Sequence, residues 1–247
     1  MPAPPAFFRF PRRIAAAARR VPASLLLIAT AATAVTAATA APVHAAADDP
    51  LPRINRLILS GAQEWLRRGF RYDTAYLRIP YPGGDVPADR GACTDLVVRA
   101  LRHAGIDLQR EIHEDRLARP AAYPDRPPDR NLDHRRTEMH VAWLRRHARS
   151  LTTRTGAPHA GEWLPGDLVY YGKTRPWHAG IVSDRRDASG VPYIIDSHQD
   201  GGGVSERFLL TRWGAILGHF RMPAAVTRSS RDAAVRPAAA AAPPGAD

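Results

Sequence analysis

The sequence predicts an α+β domain in which N-terminal helices pack on an antiparallel β-sheet. Two observations carry this expectation. Apolar residues recur at helical spacing in the first half of the chain, and the period shortens to that of strands after Trp163. Helices first and strands afterwards is the order of an α+β domain rather than of alternating βαβ units. No internal repeat is visible.

The two ends differ from this middle. Residues 1–45 read as a secretory signal: Arg9, Arg12, Arg13, Arg19 and Arg20 precede an apolar stretch opened by Leu25–Ile28, and Val43-His44-Ala45 offers a small-residue cleavage site. The expected location is therefore periplasmic or secreted, with no stable membrane span once the signal is removed. Residues 223–247 are Ala, Pro and Arg with almost no large apolar side chain. They are expected to be a disordered tail. Residues 46–222 then form one domain, long enough for a proper core.

Within it, Ile54, Leu57, Ile58, Ala62, Trp65 and Leu66 mark an amphipathic helix over residues 51–70, ending near Gly69. A loop rich in Pro, Gly and Asp follows. At Ala92-Cys93-Thr94-Asp95 the pattern turns helical again, with Leu96, Val97, Ala100, Leu101 and Ala104 on one face and Gly105 as the stop. Residues 110–136, polar and broken by four prolines, are expected to be a long surface excursion. A second amphipathic helix covers 137–147. The strand material is LPGDLVYYG, HAGIVSD, VPYIIDSH, VSERFL and WGAILGHFRM.

Removing the five arginines of residues 1–45 from the net charge of +11 leaves +6. That charge suits an anionic polymer such as the cell wall, and any soluble surface equally. No basic run interleaved with aromatics argues for nucleic acid. His113, Glu114, Asp115, His134 and His140 lack the spacing of a metal motif, so no metal and no cofactor is expected.

The cysteine count is more informative. An exported chain normally pairs its cysteines, yet Cys93 is the only one here. It stands at or next to the first turn of a buried helix, where unpaired backbone N–H groups favour thiolate and can hold an oxyanion. Among ten histidines, His178 opens a strand of small and β-branched residues and is the candidate base.

Three segments in order then resemble the NlpC-type papain-like cysteine peptidases: PYPGGDVPADRGACTDLV, LPGDLVYY and HAGIVSD. The whole also resembles a bacterial domain-of-unknown-function family (number 1287), through YPGGDVPADRG-x-CTD and N-x-DHRR. This resemblance implies a papain-like fold, a Cys93–His178 pair, and a third polar residue orienting the imidazole from the next strand, YIIDSH. Asp196 occupies that slot, with His198 of the same parity in reserve. Tyr81 takes the slot of a tyrosine near the nucleophile, and Gly83 and Gly84 would let backbone approach substrate. Asp167 reads as a turn former, and the arginines of Asp133-His134-Arg135-Arg136 as an anion site or a solvated loop. The implied activity is hydrolysis of an amide or peptide bond in cell-wall peptide through a thioacyl enzyme. Alternatives on the same scaffold are a non-catalytic envelope-binding module and an acyltransferase.

Overall fold

The computed structural model describes residues 51–224; the signal expected at 1–45 and all but the first two residues of the expected tail lie outside them. Helix α1 (Arg53–Arg68) buries Ile54, Ile58, Leu59 and Ala62 along one stripe and ends at Gly69, whose N–H donates to Trp65 O at 2.9 Å. Helix α2 (Cys93–His103) is buried on every side from Cys93 to Leu101. Its first turn is tied down by Asp95, whose carboxylate accepts the Ala92 N–H at 2.6 Å, one half of a capping box.

The surface excursion expected over 110–136 is not what forms. Its first part belongs to helix α3 (Leu108–Ala118), which buries Ile112, Asp115 and Arg116. A short 3₁₀ turn at Asp133–Arg135, also buried, leads into α4 (Thr137–His147). The segment packs through polar pairs: Tyr123 Oη donates to Asp115 at 2.5 Å, and Arg116 pairs with Asp133. Apolar periodicity does not register a helix held in this way.

After a parallel two-residue pair, β1 (Arg71–Tyr72) with β2 (Arg90–Gly91), the remaining strands make one sheet. They are β3 (Arg149–Ser150), β4 (Leu168–Tyr171), β5 (His178–Arg186), β6 (Pro192–His198), β7 (Gly203–Leu209) and β8 (Ile216–Arg221), in spatial order β3-β8-β4-β5-β6-β7. Every pairing in it is antiparallel. The α+β expectation, helices against an antiparallel sheet, therefore holds. Leu168, Tyr170, Ala179, Ile181 and Ile195 face the helical core with Leu96, Val97 and Leu101. Residues of opposite parity, Val169, Tyr171, Val182 and Ile194, join Trp163 and Leu210 in a second cluster.

Asp167 knits the two layers together. It is fully buried, accepting Asn55 Nδ2 of α1 at 2.9 Å, His219 Nε2 at 2.8 Å and a forked pair from Arg221 at 2.7 Å. Burial alone would raise its pKa, but Arg221 and His219 hold it below the usual carboxylate value. The preceding Gly166 has φ +81°, and a Cβ there would lie 2.2 Å from Asn55 O, so the turn can dock on α1 only with glycine.

Candidate functional site

Cys93 is the first residue of α2 and is 5% exposed. His178 is the first residue of β5, and its parity is that of Gly180 and Val182, away from the helical core. Although Cys93 belongs to the helical core, it lies beside the ring at this first residue of the strand. His178 Nε2 is 2.8 Å from Asp196 Oδ2 on β6, and Cys93 lies close enough to the ring to raise its pKa. The register that brings Asp196 there pairs it with Gly180, two residues along from His178.

Burial opposes charge on His178, but the hydrogen bonds to Asp196 and Cys93 outweigh it and raise its pKa to about 9. Asp196 is fully buried, and its Oδ2 accepts a second hydrogen bond, from Trp213 Nε1 at 2.7 Å, while Oδ1 is buried without a partner. His198, held in reserve for that place, lies edge-on to His178 at 5.4 Å between centroids, and its Nδ1 accepts the Asp200 N–H. Burial and the neighbouring His178 lower its pKa.

Aromatic walls complete the surroundings. Trp177, 51% exposed, lies 5.3 Å from His178 and perpendicular to Trp213 at 5.9 Å. Tyr72 lies 5.7 Å from His198; burial first, then the charges of Cys93 and Asp95, raise its pKa. Trp213, Trp177 and Tyr72 were not found from sequence. A tryptophan immediately before His178 was the one available signal, whereas Trp213 sits in a turn seventeen residues beyond Asp196.

The other sequence candidates lie elsewhere. Tyr81 packs edge-on to His113 at 5.1 Å with Arg130 over its ring; burial first, then the charges of Glu114 and Asp107, raise its pKa against Arg110 and Arg130, with no contribution from Cys93. The tyrosines in the field of the thiol are Tyr72 and Tyr170. Gly84 donates its buried N–H to Gln109 Oε1 at 2.8 Å, and its Cα packs against Pro80 O so closely that a Cβ would lie 2.0 Å away. Gly83, at φ +76°, makes the turn beside it. The glycine pair thus shapes a turn against α3 and has no N–H at Gly84 to offer a substrate. Arg135 is neither solvated nor an anion site: it forks onto Asp95 at 2.8 and 3.0 Å with both side chains buried. Arg136 is spent on Asp133.

Helices on an antiparallel sheet, with a thiol beside an imidazole that is hydrogen-bonded to a carboxylate, define the protein as an α+β chain bearing a Cys–His–Asp constellation. It belongs to the family described as Domain of unknown function (DUF1287), matched over residues 59–222. Among relatives, "Uncharacterized protein YijF" of Escherichia coli (strain K12) is 38% identical over 172 residues, which is 68% of this chain and 81% of that protein. Solved structures that resemble it include two of a N-acetylmuramoyl-L-alanine amidase from Bacteroides uniformis ATCC 8492. One is 14% identical with a TM-score of 0.43, covering 70% of this chain and 100% of that one. The other is 15% identical with a TM-score of 0.42, covering 69% and 99%.

Proposed function

We propose that this chain is an exported, NlpC-related, papain-like cysteine hydrolase that cleaves an amide or peptide bond in cell-wall peptide. The observation that carries the proposal is the convergence of the chain's one thiol, at a helix start, with an imidazole held by a buried carboxylate. The export reading of residues 1–45 and the motif resemblance direct it to the cell wall.

In this reading Cys93 Sγ attacks the carbonyl carbon, its proton having passed to His178, and backbone N–H groups in the first turn of α2 receive the oxyanion. The C–N bond breaks as His178 gives its proton to the leaving nitrogen. Water then adds to the thioacyl carbon with His178 as base, releasing the acid and restoring the thiol. Asp196, doubly anchored by His178 and Trp213, keeps the ring oriented and charged.

The test compares the purified protein with Cys93→Ala on muropeptides, following product by mass spectrometry. Cleavage by the parent alone is expected. Equal product from both, or no product from any amide, removes the hydrolase reading.

A further inference from the structure

A cavity of about 350 Å³ opens between α4, the segment 122–126 and the loop leading into β5. Four arginines line it, Arg126, Arg145, Arg146 and Arg175, against a single carboxylate, Glu138. Glu138 is committed to Arg126 at 3.1 Å, and Arg146 is committed to Asp115. Arg145 and Arg175 are exposed and have no carboxylate partner among the described residues. Arg126 Nε, moreover, is buried without a hydrogen-bond partner. Apart from Thr174, the rest of the wall is short and apolar, with Val141, Ala142, Pro176 and Leu217 among it. Uncompensated guanidinium groups over small apolar walls select a compact anion that carries an aliphatic portion.

The wall on the Arg175 side is firmly placed. Gly172 sits so close to Arg175 O that a Cβ would lie 2.1 Å away, and Pro176 O accepts Thr137 Oγ1 at 2.8 Å. Arg175 precedes His178 by three residues, so their Cα atoms are at most about 11 Å apart. A bound peptide chain covers that span in about three residues.

We propose that this cavity is a carboxylate subsite, taking the free C-terminal carboxylate of a short peptide whose scissile amide lies within about three residues of it. The occupant rests on the hydrolase reading above; the anion preference rests on the cavity. A peptide end held there would make the protein act near the ends of peptides rather than within long chains.

The probes are N-acetyl-trialanine, in L and D forms, its C-terminal carboxamide, and inorganic phosphate, titrated calorimetrically into Cys93→Ala protein so that nothing turns over. One form of the free acid is expected to bind at least tenfold more tightly than its amide, less tightly as salt is raised. An Arg145→Gln/Arg175→Gln variant, checked for an unchanged melting temperature, is expected to lose that preference. Acid and amide binding alike, a preference that survives the double substitution, or phosphate binding as tightly as the acid each overturns the proposal. Hydrolysis by the parent protein is scored separately. A hydrolase without carboxylate preference sinks only the subsite, and carboxylate preference without hydrolysis sinks only the enzyme reading.

Discussion

Replacing Asp196 by Asn isolates what the carboxylate does for His178. The amide is the same size, and its oxygen can occupy the position of Oδ2, keeping the contacts now made to His178 at 2.8 Å and Trp213 at 2.7 Å. Its nitrogen would take the place of Oδ1, which already lacks a partner, so one unsatisfied buried group replaces another. The fold should survive and the charge alone should go. A hydrogen bond to an ionised group is worth about 1.5–3 kcal/mol against about 0.5–1.5 for a neutral one, so the imidazolium loses about 1–2 kcal/mol. That corresponds to about one pH unit and about a 5- to 30-fold drop in a rate that depends on it. The folded pKa of about 9 is raised, so the charged ring is fully present below pH 8 in the parent and is lost as pH rises through 9. In Asp196→Asn that loss should move downward by about one unit. The assay is the pH dependence of Cys93 alkylation by iodoacetamide, read by intact mass, with circular dichroism as the control for folding. Coincident profiles for parent and Asp196→Asn would refute the assignment of Asp196 as the group that holds the imidazolium.

Asp95→Ala leaves Arg135 buried without its fork partner and frees the first turn of α2, so a loss of about 3–5 kcal/mol is expected in urea unfolding. A loss below about 1 kcal/mol would mean that the pair is not the tie described. Asp167, whose pKa is lowered in the folded protein, contributes stability above its ordinary value near 4, and that stability drains away as pH falls below it. Melting temperatures between pH 6 and pH 3 should therefore fall less steeply in Asp167→Asn than in the parent, although the variant starts lower; parallel slopes would contradict the assignment.

Much of this architecture is legible in the sequence. The stripe of Ile54, Ile58 and Ala62 is a one-dimensional signal, as is the alternation that splits Ala179 and Ile181 from Gly180 and Val182. Asp196 could be named from its place on the strand after His178, but its register against Gly180 could not, because the pairing involves a shift between Val182 and Arg186. What stayed hidden was held by polar pairing at long range. Arg135 meets Asp95 across forty residues and Arg116 meets Asp133 inside a segment that composition marks as solvated. Tyr81 and Gly84 illustrate the converse: a motif places them near Cys93 in sequence, whereas the chain turns them toward α3. Trp213 carries no pattern of its own, since a turn residue reveals its partner only in three dimensions.

The thiol rides on a helix and the imidazole on a strand, so their separation is a property of how α2 rests on β5. Close-packed interiors pass on even a one-methylene change in volume. In the proposed hydrolase, substitutions at Val97, Ala179 or Ile195, in the core between helix and sheet, would act as a tuning screw on the thiol–imidazole distance. Selection for a faster or slower form of that proposed hydrolase should then accumulate changes in this buried seam as readily as around Trp177 and Trp213.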